Sequence, residues 1–384
     1  MIFVCVFMAG YALASSMFGN LLPEMIGYYG IDLGKASSIN IFNEIGNTGA
    51  MVFALLAVDR MDKRRLLTLT ALCYGAALFL DGLMPAFLLL LVTRLAIGFT
   101  GGLLDNLCAT YVSDLYGERR TRYISILHTL YAIGSLIGPK FAALTITLGG
   151  WALSYLSSGI AMLIVAVLFF VVIKALGAPA LAVAPAESAR QKIPYGEILH
   201  SANMRWLCAG NMLFSSLIYI NVWLPTYLSS VDRSIYTVGF CSTVMTASYI
   251  GMILSRTILA ALSEKISTAA YVRWSALLAA GLLAAMLIVQ QPVFWLIGIF
   301  LFSLVSGANY TARFVLACQE FPAYSSTATA LAGFFAALGN ILLNAGLGAL
   351  AGAGRYTLAF FLLVGLLAAA FFLYTFGYKD PQRR

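Results

Sequence analysis

The stretch L-L-A-V-D-R-M-D-K-R-R, residues 55–65, carries the densest charge in the chain. On each side of it lies an apolar run long enough to cross a membrane. A weaker copy of the stretch returns 205 residues later as Glu264 and Lys265. These two residues correspond to Asp59 and Arg60 of the first copy. The sequence therefore predicts two hydrophobic halves, each with a charged hairpin between its second and third spans.

The composition excludes an ordinary water-soluble protein. Of the 384 residues, 61% are hydrophobic and 10% are charged, whereas soluble domains carry about 25% charged residues. The net charge of +8 lies mostly in short loops between apolar runs, which indicates membrane topology and not nucleic-acid binding. The six cysteines have no C-x-x-C spacing and there are two histidines, so the sequence predicts neither a metal site nor a cofactor.

Apolar runs of membrane-spanning length divide the chain into twelve predicted helices. The predicted spans are residues 2–28, 36–58, 66–80, 85–112, 123–148, 151–173, 206–228, 236–262, 268–289, 293–318, 327–350 and 356–376. Six spans fall in residues 1–174 and six in residues 204–384, with a polar cytoplasmic linker at 175–203 between them. The predicted fold class is an all-α integral membrane protein, with 12 transmembrane helices in two pseudo-symmetric six-helix bundles.

The loops differ in charge from one side of the membrane to the other. Lysine and arginine concentrate in one set of loops and in the termini, whereas Lys35, Arg233 and Arg355 are the basic residues of the opposite set. Because basic loops stay in the cytoplasm, both termini and the linker are expected there. The expected location is the inner membrane of the cell.

The two halves also repeat each other at single positions. At the offset of 205 residues, Gly46 corresponds to Gly251 and Gly134 corresponds to Gly339. Parallel halves related by an axis along the membrane normal leave such internal repetition in a sequence.

Three motifs connect the chain to a known family. In the loop after span 2, the pattern D-R-x-x-[RK]-[RK] is made by Asp59, Arg60, Lys63 and Arg64, while Leu55 and Asp62 stand where the family has glycines. The motifs of spans 4 and 5 are Arg94-x-x-x-Gly98 and Gly134-x-x-x-Gly138-Pro139. Over nearly its whole length the chain resembles the major facilitator superfamily. The resemblance implies that Arg94, Gly134, Gly138 and Pro139 have structural roles, with a proton relay as the alternative for Arg94.

Within that superfamily, three places resemble the fucose-permease-like group of proton symporters. They are His128-x-x-Tyr131 before the span 5 motif, Gly102-x-x-Asp105 in span 4 and the segment W-L-P-T-Y at 223–227. That group often has an asparagine four residues after the span 4 acid. This chain has Ala109 there, with Asn106 beside the acid instead. The resemblance implies that Asp105 serves both proton coupling and hydrogen bonding to the substrate.

Ionisable side chains at membrane depth are functional candidates because they are costly there. Asp105 is the first candidate for proton coupling, and a structural ion pair is its alternative. Glu44 is a second coupling candidate, or else makes a polar contact with Asn47 or Lys140. His128 is either a proton relay or a neutral imidazole hydrogen-bonded within its bundle.

The second half offers polar and aromatic groups more than acids. Amides beside aromatic rings suit small polar molecules, and Arg313 is able to clamp a carboxylate or phosphate. For Trp223 the alternative is a place in the aromatic belt at the membrane surface. The predicted substrate-binding residues are Asp105, Asn106, Asn221, Trp223, Asn309, Tyr310, Arg313 and Asn344.

The charged loops are predicted to form a cytoplasmic gate. The resemblance implies that they close the cytoplasmic side by ion pairing and release it during the transport cycle. The predicted gate residues are Asp59, Arg60, Lys63, Arg64, Glu264 and Lys265. A simple topology signal is the alternative, although it explains the basic residues and not the two acids.

The sequence favours a monomeric proton-coupled secondary transporter of a small polar solute, sugar-like or organic, working by alternating access. Its partners are then the solute, protons and the lipid bilayer. The alternative is proton-antiport efflux of drugs or metabolites, which a largely apolar aromatic cavity would favour. An enzyme is not expected because no nucleophile–base cluster is present. ATP-driven transport is not expected because G-x-x-x-x-G-K-[ST] does not occur.

Overall fold

A computed structural model describes residues 1–58, 61–116, 120–175, 195–262 and 265–379. Across these ranges the protein is helical and contains no strand, which confirms the predicted all-α class. Asp59, Arg60 and Glu264 of the predicted gate lie outside the described residues, as does most of the predicted linker.

The chain divides into two compact units, Met1–Glu187 and Ser188–Arg384. The helices of the first unit are α1 Ile2–Tyr29, α2 Leu33–Ala57, α3 Lys63–Gly82, α4 Phe87–Tyr116, α5 Arg120–Gly149 and α6 Trp151–Ala175. The helices of the second unit are α7 Tyr195–His200, α8 Ala202–Val231, α9 Val238–Leu262, α10 Thr268–Val289, α11 Pro292–Ser306, α12 Asn309–Glu320, α13 Ser325–Gly352 and α14 Tyr356–Phe372.

Eleven helical segments of the described chain are long and apolar enough to cross a membrane. The α11 and α12 helices count together as one of them, Pro292–Glu320. Helix α2 is the polar exception in the first unit, although its 25 residues give a length of about 37 Å, enough to span a bilayer core. Its polar side chains include Asn40, Asn43, Glu44 and Asn47.

The two units repeat one packing scheme. In the first, α1 packs on α5, α2 on α4 and α3 on α6; in the second, α8 packs on α13, α9 on α11 and α10 on α14. A Cβ atom at Gly46 would overlap the carbonyl oxygen of Leu95, and one at Gly251 would lie 2.5 Å from that of Phe300. Both members of this contact are displaced by the same 205 residues. The internal repeat of the sequence is therefore a repeat of helix contacts.

The predicted span 293–318 is not one continuous helix, because it breaks at Gly307 and Ala308 between α11 and α12. The freed backbone groups find side-chain partners on neighbouring helices. The Ala308 N–H donates to Ser255 Oγ at 3.0 Å, and the Tyr271 hydroxyl donates to the Val305 carbonyl at 2.8 Å. A break at membrane depth is tolerated only where such partners replace water.

Two glycines of α13 test the packing scheme, because they differ in what surrounds them. A Cβ at Gly339 would lie 2.6 Å from the Cα of Met212 in α8, whereas one at Gly346 would meet no described atom within 4 Å. We expect Gly339→Ala to destabilise the protein by about 1–3 kcal/mol through overpacking. We expect Gly346→Ala to be neutral or to stabilise it by up to about 1 kcal/mol. Thermal unfolding of the detergent-purified variants measures both, and equal shifts would contradict the α8–α13 contact.

Candidate functional site

A half-buried cluster of aromatic rings and carboxylates lies around Tyr11 of α1. The Tyr11 ring centroid is 5.9 Å from that of Tyr74 in α3 and 6.1 Å from that of Tyr131 in α5. The charges of Asp105 in α4 and Glu44 in α2 both act on the Tyr11 phenol. Five helices of the first unit thus contribute to one place, and two predicted coupling carboxylates lie within electrostatic range of Tyr11.

Two consecutive glycines let α4 approach this cluster. A Cβ at Gly101 would lie 2.8 Å from the ring of Tyr11 and 3.1 Å from that of Tyr74. A Cβ at Gly102 would overlap the amide oxygen of Asn47 in α2. Larger residues at these two positions would push α4 away, so the glycines determine how close Asp105, one turn further on, lies to Tyr11.

The other predicted residues of the first unit differ in exposure. Asp105 is half-buried and makes no hydrogen bond or ion pair with another described residue. Glu44 is also half-buried, whereas His128 and Asn106 are exposed. The structure therefore groups Asp105 with Glu44, while the cluster's central residue, Tyr11, was not selected from the sequence. An aromatic residue inside an apolar span gives no signal that separates it from core packing.

A buried ion pair lies near the end of α3 and the start of α4. Arg94 Nη2 is 2.7 Å from Asp81 Oδ2, and both side chains are almost completely buried. The Thr93 hydroxyl donates to the other oxygen of Asp81. The guanidinium carbon lies 4.7 Å from the ring centroid of Phe18 and 4.6 Å from that of Tyr155.

Sequence reasoning missed Asp81 because its predicted third span ends at residue 80, whereas α3 continues to Gly82. An acid thirteen residues before Arg94, across one helical hairpin, is the signal that was available.

The second unit encloses a polar group around Arg313 in α12. Arg313 Nη1 donates to Asn211 Oδ1 of α8, and its Nε donates to the Asn309 carbonyl at 3.3 Å. Asn309 Nδ2 in turn donates to Ser275 Oγ of α10 at 2.8 Å. Asn309 and Arg313 are buried, whereas Tyr310 is 39% exposed. Two of these three predicted substrate residues therefore contact only protein groups.

A second buried group joins Trp223 of α8 to α13. Trp223 Nε1 donates to Asn344 Oδ1 at 2.8 Å, and Asn344 Nδ2 donates to Asn340 Oδ1 at 3.1 Å. Trp223 is completely buried, which does not fit a place in the aromatic belt at the membrane surface. Asn221 lies apart from this group and accepts a hydrogen bond from Ser248 at 3.1 Å.

The described part of the predicted gate forms local contacts in the first unit. Lys63 Nζ is 2.7 Å from Asp114 Oδ2. Asp62, which replaces a family glycine, accepts a hydrogen bond from the Arg64 N–H at 3.0 Å and so caps the first turn of α3. Lys265 is exposed in the second unit.

The residues expected to be structural lie where helices touch. A Cβ at Gly134 would overlap the carbonyl oxygen of Ala9, and one at Gly138 would overlap the hydroxyl of Ser16. Pro139 lies inside α5 next to this contact. The described residues contain no group of three His, Cys, Asp or Glu side chains that is able to hold a metal ion.

Comparison with known proteins shows which family has these features. A family model described as Major Facilitator Superfamily matches residues 2–342. The structure is similar to that of the nucleoside transporter NupG, with TM-score 0.78 and 16% identity over 98% of this chain and 99% of that one. It is also similar to a D-xylose-proton symporter, with TM-score 0.74 and 14% identity over 100% of this chain and 98% of that one. At these identities the likeness shows the fold.

Two curated relatives match shorter stretches. One is the Sodium-dependent glucose transporter 1 of Rattus norvegicus, 25% identical over 135 residues, which are 35% of this chain and 28% of that protein. The other is the Putative niacin/nicotinamide transporter NiaP of Bacillus subtilis (strain 168), 28% identical over 133 residues, which are 34% of this chain and 31% of that protein. The chain thus spans about a third of the length of these relatives. All these proteins are membrane transporters, which confirms the prediction that the chain is not an enzyme.

The Asp81–Arg94 pair predicts a sharp stability effect. We expect Asp81→Asn and Arg94→Gln each to cost about 3–5 kcal/mol, because each leaves one buried charge without its partner. The double variant is expected to lose less than the sum of the two. Asp114→Asn, which breaks the more exposed pair with Lys63, is expected to cost at most about 1 kcal/mol. A double-mutant cycle on unfolding free energies measures this, and additive losses would contradict the pairing.

Proposed function

Since the chain belongs to the major facilitator superfamily, we propose that it is a proton-coupled secondary transporter of a small polar solute. It is a multi-pass membrane protein, and the proposal extends to the inner membrane with both termini in the cytoplasm. The relatives named above are described as transporters of sugars, a nucleoside and nicotinamide-like solutes, which supports this substrate class. Each unit packs on itself, which supports alternating access by movement of the two units. The protein is proposed to work as a monomer.

Asp105 is the observation that carries the proposal. Asp81 has its charge neutralised by Arg94 at 2.7 Å, whereas Asp105 has no ion-pair partner among the described residues. A carboxylate in a membrane helix without a fixed counter-ion is free to take up and release a proton, and such groups are typical of proton relays. Glu44 beside the same Tyr11 is the second coupling group, and His128 is its exposed relay.

The surroundings of Asp105 also favour a polar ring as the substrate. The ring centroids of Tyr11 and Tyr131 lie 6.1 Å apart, and the nearby carboxylates supply hydrogen-bond acceptors. Aromatic platforms with a few polar groups are typical of small-molecule sites. The fucose-permease-like group, with its sugar substrates, is the proposed subgroup.

The predicted substrate set divides by exposure. Asp105, Asn106, Asn221 and Tyr310 have accessible surface and are proposed to touch the solute directly. Trp223, Asn309, Arg313 and Asn344 are enclosed in the second unit and reach it only after rearrangement. The loops with Asp59, Arg60, Lys63, Arg64, Glu264 and Lys265 are proposed as the cytoplasmic gate.

Two alternatives follow from specific observations. One relative is named as sodium-dependent, so a sodium gradient is the second candidate for the driving force. Efflux by proton antiport is the second candidate for direction, since the Tyr11 cluster is rich in aromatic rings. Its two carboxylates, Asp105 and Glu44, favour uptake of a polar solute over efflux of an apolar drug.

Proteoliposomes test the role of Asp105. The purified protein is screened for uptake of radiolabelled D-glucose, D-xylose, uridine and nicotinamide under a proton gradient and, separately, a sodium gradient. We expect Asp105→Asn to reduce proton-driven accumulation at least about tenfold, while solute exchange without a gradient continues, because the amide still forms hydrogen bonds to the solute but no longer exchanges a proton.

Asp232→Asn is the matched control. Hydrogen bonds from Ser234 hold the pKa of Asp232 below its ordinary value, so this carboxylate stays charged throughout the assay and takes no part in coupling. Accumulation by this variant is expected to equal that of the unmodified protein. Full accumulation by Asp105→Asn would contradict the coupling role. Accumulation that only a sodium gradient drives would show that the coupling ion is sodium and not the proton.

A further inference from the structure

Arg313 is a buried cation whose partners are all neutral. It is 2% exposed, and its nitrogen atoms donate to the Asn211 amide oxygen and the Asn309 carbonyl. The guanidinium carbon lies 4.7 Å from the ring centroid of Phe214 and 6.0 Å from that of Tyr310. An arginine does not lose its proton in proteins, so a positive charge remains inside this helix bundle.

Arg94 shows what a buried arginine in this chain has when its charge is balanced. It is 3% exposed and has two aromatic ring centroids at 4.7 and 4.6 Å, but it also has Asp81 at 2.7 Å. Arg313 has no carboxylate partner among the described residues. The counter-ion is therefore the difference between two otherwise similar environments.

The sequence explains why Arg313 finds no counter-ion among the described residues of the second unit. Its carboxylates are Glu197, Asp232, Glu264, Glu320 and Asp380. Asp232 directly follows α8, Glu320 is the last residue of α12, and Glu197 lies in the short α7. Glu320 accepts a hydrogen bond from Asn203 at 3.0 Å. Residues 264 and 380 lie in a connection between spans and near the C-terminus, away from the middle of any span.

The chemistry of the group selects one kind of ligand. A guanidinium matches a carboxylate through two parallel hydrogen bonds. One cation balances one negative charge, whereas a phosphate monoester carries about −1.5 to −2 at neutral pH. Tyr310, one turn before Arg313, is 39% exposed, and its ring centroid lies 6.0 Å from the guanidinium carbon. The Asn211 amide oxygen is the neutral acceptor that a carboxylate oxygen would replace.

We propose that Arg313, with Asn211 and Tyr310 beside it, binds the carboxylate group of the solute, so that the preferred substrate is a small monocarboxylate. The inference rests on the proposed transport function and makes its substrate class more specific. The carboxylate balances the charge of Arg313, and the neighbouring rings of Phe214 and Tyr310 cover the apolar part of the ligand.

Matched ligand pairs test the proposal on the purified full-length protein. Nicotinate is compared with nicotinamide, and glucuronate with glucose, by calorimetric binding and by radiolabelled uptake. We expect the carboxylate member of at least one pair to bind more tightly than its neutral partner. Arg313→Gln is expected to weaken that binding about 30-fold or more, since a charged hydrogen-bond pair is lost. Arg313→Lys, which keeps the charge and loses the planar fork, is expected to retain part of it.

Unfolding without ligand separates binding from a purely structural role. Arg313→Gln removes an unbalanced charge, so its thermal midpoint is expected to equal or exceed that of the unmodified protein. Arg94→Gln leaves Asp81 without its partner, so its midpoint is expected to fall. A fall for Arg313→Gln as large as that for Arg94→Gln would assign a structural role to Arg313 and overturn the proposal.

The outcomes also distinguish this proposal from the transport function. If the neutral member of each pair is preferred or carried equally well, the carboxylate site is wrong and the transport function stands. If no carboxylate binds, the site is likewise wrong. If, in addition, none of the neutral solutes is carried under either gradient, the proposed function fails as well.

Discussion

A charge inside a membrane must be balanced, and the salt bridge between Arg94 and Asp81 shows how the first unit does so. Two side chains on adjacent helices lie 2.7 Å apart, with Thr93 bound to the same carboxylate and aromatic rings on the guanidinium. Transfer of either ion alone into a low-dielectric interior costs several kcal/mol. The pair therefore makes a buried arginine compatible with a stable bundle.

The two repeats differ in how the charge of their buried arginine is balanced. Their backbones follow one scheme, in which the contact of Gly46 with Leu95 recurs as that of Gly251 with Phe300. At the same offset of 205 residues, Tyr310 corresponds to Asp105. Among the described residues, one repeat thus places a carboxylate without an ion-pair partner, and the other a phenol next to a guanidinium without one, on a common framework. The two repeats therefore share a packing scheme and differ in the charge of the residues on it.

The fold was largely predictable because the membrane restricts the possibilities. Apolar length predicted the helices, and the 205-residue repeat predicted two similar bundles. The break in span 10 was not predictable, because Gly307 alone does not show that Ser255 and Tyr271 will satisfy the freed backbone groups.

The candidate site was only partly predictable. Asp105 and Glu44 stood out as charges in apolar spans, and the structure groups them around Tyr11. Asp81 was missed because it lies one residue beyond a predicted helix end. Trp223 had two open interpretations that only its complete burial separates. Contacts between helices distant in sequence decided each of these cases, and hydropathy carries no information about them.

Coupled movement of protons and solute is the central claim, and a pH-sensitive dye trapped inside proteoliposomes measures it directly. The solute carried best among the neutral members of the screen is added outside, with no gradient imposed and with protein-free liposomes as the control. Symport predicts that the interior becomes more acidic as the solute enters. An interior that becomes alkaline would indicate antiport, and solute entry without any change in pH would contradict proton coupling.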